Sequence, residues 1–367
     1  MDAREDITMT STIIGSNQIL RPFKERRDAG GVQCLDSTHG DNFAFYHGDT
    51  CEVLPQLPSN SADLIIYSPP FSSLYTYTDS PRDMGNCAGD DVFFEHYGWL
   101  LGELLRVLRP GRMAVVHCTD IPSTITHQGL IGLRDFSGDI IRAHKMTPAV
   151  DVIGANGSRR SFEWVYHSRA TVWKDPVVEM QRTKSLGLLH KQLKKDSTRS
   201  RMGLPDYLLG FRKGHEKYDP NYAGVPVTHT SESFSVEQWQ QWASCHWDMP
   251  APSEWSDRRR IEIEKATAPV WRDIDQTRTL NVRQARDNGD ERHMCPLQLD
   301  VIERLVKLWS NPGEVVLSPF GGVGSEGVGS LGLKRRFVGV ELKESYFRTG
   351  SRNLLEADNT RQGSLFG

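Results

Sequence analysis

Two stretches of the chain hold residue types that could do chemistry. In "ADLIIYSPPF" an apolar run stops at Ser68-Pro69-Pro70-Phe71. Proline has no N–H and a fixed φ, so Pro-Pro ends a sheet ladder and leaves a stiff corner. In an open α/β sheet, loops leaving the carboxyl ends of the strands line the functional crevice. A rigid strand-terminal turn would use the same residues, so this stretch alone does not decide. In the second, "VVLSPFGGVGSEG", an apolar strand runs into Phe320-Gly321-Gly322-Val323-Gly324 and directly on into a helix. Glycines let the backbone turn sharply and approach a ligand, and a helix N-terminus offers unpaired N–H groups. The next strand ends at Glu341, about 20 residues on, where nucleotide-binding folds place an acid against ribose hydroxyls.

The elements that must position these stretches follow from periodicity. "NFAFYHGD" reads as a strand, "TCEVLPQLP" as a helix, "DLIIYSPPF" as a strand, "VFFEHYGWLLGELLRVLRPG" as an amphipathic helix and "MAVVHCTD" as a strand. Strand and helix in alternation mean parallel pairing with right-handed crossovers. "DFSGDIIRAHKM" predicts a capped helix and "SFEWVYHSRATVWKD" a strand hairpin. Near the C-terminus the order is helix ("CPLQLDVIERLVKLWS"), strand ("GEVVLSPF"), small-residue helix and strand ("RRFVGVEL").

Composition sets the outer bounds. The chain has 367 residues, 38% hydrophobic and 25% charged, with a net charge of −3, which suits a globular protein with one large core or two modest ones. No apolar run approaches the roughly 18 residues of a membrane span, and the N-terminus lacks a basic-then-apolar leader pattern, so a cytoplasmic location is expected. The six cysteines form no C-x-x-C pair, which argues against a disulfide framework or a zinc ribbon; no metal is expected. Charge is uneven, however. From Arg182 to Lys213, nine Lys/Arg face two Asp, a local excess of seven.

The two motifs resemble those of S-adenosylmethionine-dependent DNA amino-methyltransferases, which carry (Asp/Asn/Ser)-Pro-Pro-(Tyr/Phe) for catalysis and an (Asp-Pro-Phe)-x-Gly-x-Gly-like segment for the cofactor. Catalytic motif first and cofactor motif last resembles the circularly permuted β group. "SSLYTYTDSPRDMGN" and "LLHKQLKKDS" extend the likeness to solitary phage- and prophage-type members. The resemblance implies an α/β, Rossmann-like class I methyltransferase sheet, circularly permuted, with an inserted target-recognition region. It also implies S-adenosylmethionine as cofactor and double-stranded DNA as partner.

The resemblance gives the first motif its chemistry. An exocyclic amine is a poor nucleophile because its lone pair is delocalised into the ring, so acceptors aimed at its N–H groups would favour a pyramidal nitrogen. Ser68 Oγ and a main-chain carbonyl, that of Pro69, are the expected acceptors. Pro70 stiffens the corner, and Phe71 stacks on a base flipped from the duplex. No cysteine sits in the Pro-Cys pair that a cytosine-C5 enzyme would need. For the cofactor the resemblance implies Asp49, Ser318, Phe320, Gly321, Gly322, Gly324, Glu341, His293 and Pro296. Asp49 also reads as a helix cap. Ser318 replaces a commoner Asp, and "RHMCPLQ" departs from the commoner His-Pro-x-x-Lys-Pro.

The implied domain plan is an N-terminal arm at 1–41, a catalytic half at 42–175, a target-recognition insertion at 176–291, a cofactor-binding half at 292–357 and a tail at 358–367. The insertion is expected to lie outside the catalytic sheet. DNA phosphates select for Lys and Arg, which makes Arg182, Lys184, His190, Lys191, Lys194, Lys195, Arg199 and Arg201 the expected DNA-binding residues. Five tryptophans between Trp239 and Trp271 suggest an interface and hence a homodimer. Adenine N6 is favoured as the target through the phage-type likeness, with cytosine N4 as the alternative because Ser-Pro-Pro is associated with it. A non-catalytic nucleic-acid-binding module and an RNA or protein methyltransferase are the readings from other classes.

Overall fold

The computed structural model describes residues 34–71, 77–87, 89–123, 132–175, 179, 188, 190–214, 219–222, 225–243, 270–271, 273–281 and 296–363. In chain order the elements are β1 (Asp36–His39), β2 (Phe43–His47), α1 (Thr50–Val53), β3 (Ala62–Tyr67), α2 (Asp90–Val107), β4 (Leu108–Cys118), β5 (Ile121–Ser123), β6 (Gly132–Arg134), α3 (Phe136–Met146), β7 (Val150–Ile153) and β8 (Arg159–Val172). There follow α4 (His190–Asp196), β9 (Asp206–Gly214), α5 (Val236–Ala243), β10 (Val270–Trp271), α6 (Leu299–Trp309), β11 (Val315–Ser318), α7 (Ser325–Gly332), β12 (Arg336–Glu341) and α8 (Glu344–Gly363). Among the described residues, one sheet runs β1-β2-β12-β11-β3-β4-β9-β8-β10, with β7 paired to β8.

The middle of this sheet is parallel. β2, β12, β11, β3 and β4 all run the same way, and β9 lies antiparallel between β4 and β8. β3 is buried at every residue, as a central parallel strand covered on both faces must be. One face packs Ile65, Tyr67, Val116, Leu209 and Phe211 against α2 and α3. The other packs Leu64, Ile66, Val115 and Leu208 against α6, α7 and α8. α6 turns Val301, Ile302, Leu305 and Val306 inward at helical spacing, the amphipathic pattern a covering helix requires. No helix of the described residues is long and apolar enough to cross a membrane.

Three expectations from the sequence are corrected. "SFEWVYHSRATV" is not a hairpin but part of one 14-residue strand, β8, whose antiparallel partners are β7 and β9. The turn expected inside it falls earlier, at Gly154–Ser158, where Gly157 adopts φ 79°. β4 begins at Leu108 rather than Met113: Leu108 pairs with Ala62 before the register shifts to Met113 opposite Leu64. Most consequential, the insertion is not all outside the sheet. Asp206–Gly214 is β9, buried at seven of its nine positions. Its last two basic residues therefore leave the charge run. Lys213 is fully buried, donating to Asn60 Oδ1 and the Leu108 carbonyl at 2.8 Å each, and burial pushes its pKa well down. Arg212 donates to the Gly111 carbonyl at 3.2 Å.

Candidate active site

The carboxyl ends of β2, β12, β11 and β3 stand side by side, and each delivers one group. β2 ends at His47 and leads to Asp49. β12 ends at Glu341, whose carbonyl accepts the Gly48 N–H at 3.0 Å. β11 ends at Ser318 and turns through Phe320–Gly324, while β3 ends at Tyr67 and leads to Ser68. The last two strands are neighbours, with Leu317 opposite Ile65, and Phe320 lies 5.9 Å from the Tyr67 ring. The two motifs, about 250 residues apart in the chain, thus share one crevice.

The glycine turn is held from inside. Gly321 N–H donates to the Val340 carbonyl at 2.7 Å, and Gly322 N–H to Glu341 Oε2 at 2.7 Å. Glu341 Oε1 accepts the Lys343 N–H at 2.8 Å. Gly322 and Gly324 have φ 52° and 87°, the left-handed region that glycine enters without strain. A Cβ on Gly321 would stand 2.4 Å from the Phe45 ring, whereas one on Gly322 would meet nothing within 4 Å. Burial raises the Glu341 carboxyl to about 7 despite its two backbone donors, and raises the neighbouring Glu326 to about 8.

This crevice fits the cofactor that the resemblance implies. Ser318 Oγ and Ser325 Oγ are buried with no hydrogen-bond partner among the described residues, hydroxyls that a polar ligand would satisfy. Open space in front of Gly322 lets a ligand approach the backbone closely. Asp49 serves as the cap expected of it, its Oδ1 accepting the Cys51 N–H at 2.9 Å, while its Oδ2 lies 3.6 Å from Arg82. Tyr77 packs with Val323 and Tyr346, so the chain after the catalytic motif covers the glycine turn. Asp83 shapes that cover by accepting the N–H groups of Tyr77, Thr78 and Gly85 at 2.7–2.9 Å. Pro296 is half-buried. His293 lies outside the described residues.

At the Ser-Pro-Pro corner Pro69 and Pro70 are buried, and Ser68 and Phe71 are half-buried. The Phe71 ring packs 5.9 Å from Phe136. Ser68 Oγ lies 2.7 Å from His117 Nδ1. His117 Nε2 in turn lies 3.1 Å from Asp206 Oδ2, and Lys174 Nζ pairs with Asp206 Oδ1. Alternation accounts for the assembly: Ser68 continues the face of Leu64 and Ile66, His117 that of Met113 and Val115, and Asp206 that of Leu208. Burial opposes the ionised Asp206, but His117 and Lys174 outweigh it and hold the carboxyl below its usual range. Sequence reasoning missed His117, Asp206 and Lys174. A histidine at the carboxyl end of the apolar run "MAVVHC" was the available signal.

The basic segment divides. His190, Lys191, Lys194 and Lys195 lie on the short helix α4. Lys191, Lys194 and Lys195 are exposed. Arg199 pairs with Asp196 at 3.2 Å, and Arg201 with Glu179 at 2.8 Å. Glu179 also accepts the Leu204 N–H at 2.9 Å, so Arg201 belongs to the bracing of the strand that carries Asp206. Arg182 and Lys184 lie outside the described residues. Of the five tryptophans, Trp242 and Trp271 flank Arg304 at 4.9 and 4.6 Å within the chain, Trp239 is exposed, and Trp247 and Trp255 lie outside the described residues.

Comparison with known proteins follows the same lines. Residues 62–352 match the N6/N4 DNA methylase family model. The chain belongs to that family. Type II methyltransferase M.BamHI of Bacillus amyloliquefaciens is 22% identical over 300 residues, 81% of this chain and 54% of that protein. DNA adenine methyltransferase YhdJ of Escherichia coli (strain K12) is 33% identical over 64 residues, 17% of this chain and 22% of that protein. The chain thus spans about half or less of the length of these curated relatives. Among solved structures, the PvuII cytosine-N4-specific DNA methyltransferase superposes with a TM-score of 0.52 at 13% identity over 90% of this chain and 97% of that one. TTHA0409 of Thermus thermophilus gives 0.51 at 18% identity over 86% and 95%. These likenesses show the fold, an α/β class I methyltransferase sheet.

Proposed function

We propose that the protein transfers a methyl group from S-adenosylmethionine to the exocyclic amine of a base flipped out of double-stranded DNA. The observation that carries this reading is the placement of Ser68 and the glycine turn at the ends of adjacent strands, one crevice with an acceptor corner beside a nucleotide-type cradle. The bound cofactor supplies an electrophilic methyl group on a sulfonium. Glu341 would hold its ribose, the turn at Gly321, Gly322 and Gly324 would admit it closely, and Ser318 Oγ and Ser325 Oγ would bond its polar groups. Asp49, Pro296 and Phe320 would border the same site.

The chain's own residues prepare the nucleophile. Ser68 Oγ and the Pro69 carbonyl accept from the two amine hydrogens, which favours the pyramidal nitrogen of the transition state over the planar ground state. Phe71 offers a ring face to the extruded base. Adenine N6 is our assignment, supported by the 33% identity to a DNA adenine methyltransferase. Cytosine N4 is the second reading, favoured by serine rather than aspartate at position 68. We further read the chain as circularly permuted, because β11 and β12 from its end fill the sheet between β2 and β3. The target-recognition region lies within 176–291 apart from β9 and β10, and Lys191, Lys194 and Lys195 contact phosphates. The homodimer reading keeps Trp239 as its exposed ring. Incubation of the protein with DNA and isotopically labelled S-adenosylmethionine, followed by nucleoside mass spectrometry, tests the reading: label in N6-methyldeoxyadenosine supports it, and label in N4-methyldeoxycytidine selects the second.

A further inference from the structure

We propose that Ser68 is the front end of a proton relay, in which His117 takes up the proton that the target amine must lose and Asp206 steadies the resulting charge. The inference rests on the proposed methyl transfer and specifies where its proton goes. It is carried by the geometry of four side chains at the ends of neighbouring strands. Ser68 Oγ is 2.7 Å from His117 Nδ1, His117 Nε2 is 3.1 Å from Asp206 Oδ2, and Lys174 closes the row on Asp206 Oδ1.

His117 Nε2 lies off the line of a hydrogen bond to Asp206, but the buried carboxylate oxygen 3.1 Å away favours a proton on the nearer ring nitrogen, Nε2. That leaves Nδ1 with a lone pair, which accepts from the Ser68 hydroxyl. Ser68 Oγ, its hydrogen committed to His117, then turns its lone pairs to the crevice, the polarity needed to accept an amine N–H. A serine without such a backing partner could donate its hydrogen to the base instead. As the new N–C bond forms and the C–S bond breaks, the amine nitrogen gains positive charge. Its proton passes to Ser68 Oγ while the Ser68 proton passes to His117 Nδ1. The products are a neutral methylamine, an unchanged serine and an imidazolium beside Asp206, which solvent later relieves of one proton. No oxidant or further reactant is consumed.

The surroundings suit this task. Asp206 is 2% exposed, so its charge acts on His117 with little screening. Lys174 occupies the other oxygen and keeps Asp206 ionised, so that the imidazole rather than the carboxylate receives the proton. Asp120, Asp135 and Arg169 are the other charged groups at this end, and with Asp206 they act on the neighbouring Cys118 thiol. His117 is a positioning residue in the ground state and acts on the base only through Ser68.

The test is the pH profile of single-turnover methyl transfer with saturating cofactor and DNA. The wild-type rate is expected to fall about tenfold per pH unit on the acid side, because a proton already on the acceptor nitrogen blocks the relay. His117→Gln, which can bond Ser68 but does not titrate, should lose that limb and turn over about 100-fold or more slowly, with cofactor and DNA binding within a few-fold of wild type. A rate within about threefold of wild type and an unchanged acid limb would overturn the relay. A second measurement needs no variant: nitrogen NMR of the wild-type protein at neutral pH should find the His117 proton on Nε2, and a proton on Nδ1 would overturn it. A wild-type protein that methylates no DNA at any pH removes the proposed function and the relay with it. An active wild type with an unaltered His117→Gln removes the relay alone.

Discussion

Glu341 Oε2 accepts the Gly322 N–H at 2.7 Å, tying the acid at the end of β12 to the glycine turn at the end of β11. One carboxylate thus shapes the turn and, in the proposed function, holds the cofactor ribose. Burial raises it to about 7, so near neutrality it is only partly ionised. An ionised carboxylate is the better acceptor for ribose hydroxyls. Cofactor binding by calorimetry should therefore tighten as pH rises from 6 to 8, by up to about tenfold, and Glu341→Gln should bind more weakly with that pH dependence removed. Equal affinity at both pH values would contradict the role.

Glu326, in the first turn of α7 and 5% exposed, is raised to about 8 by burial and by Glu341. Its folded value lies above its ordinary value of 4.5. The stability it contributes is therefore present below about pH 4.5 and is lost as pH rises through about 8. Glu326→Gln should raise Tm at pH 8.5, by the equivalent of about 4 kcal/mol, and change it far less at pH 5. Differential scanning calorimetry at the two pH values checks this.

How much of this was legible beforehand depends on how locally each feature is encoded. β3 and its Pro-Pro stop, and β11 with its glycine turn, are read from fewer than fifteen consecutive residues each, and both lie where expected. β9 was hidden because Arg212 and Lys213 look like surface charge, whereas Lys213 finds Asn60 and the Leu108 carbonyl through contacts across 100 residues or more. His117 and Asp206 are 89 positions apart in the sequence and meet only because β9 inserts beside β4. Such a pair has no local signature. Arg201 stands in the same charge run, and its partner Glu179, which also accepts the Leu204 N–H, is equally invisible in the local sequence.

Two glycine substitutions should separate packing from ligand access. Gly321→Ala drives a Cβ to 2.4 Å from the Phe45 ring and should destabilise the fold by about 1–3 kcal/mol. Gly322→Ala meets nothing within 4 Å but stands at φ 52° in the ligand's approach. It should cost only about 1–2 kcal/mol in stability while weakening cofactor binding further than that strain alone explains. Thermal melts with and without S-adenosylmethionine distinguish them.

Each phosphate neutralised by a lysine adds a slope near −0.9 to the dependence of log affinity on log salt. Replacing Lys191, Lys194 and Lys195 by Ala should flatten the measured slope by about two to three units. Arg201→Ala should lower thermal stability and leave the slope nearly unchanged. Fluorescence anisotropy with a labelled duplex over a range of salt concentrations reads both.

The most direct measurement is transfer of a labelled methyl group into DNA by the wild-type protein and by Ser68→Ala, each with its cofactor affinity determined in parallel. The expected result is label in N6-methyldeoxyadenosine for the wild type. For Ser68→Ala, transfer should fall about 100-fold or more while the cofactor dissociation constant stays within a few-fold. Undiminished transfer by Ser68→Ala, or no label in DNA from a wild-type protein that binds the cofactor, would contradict the assignment of this crevice to amine methylation.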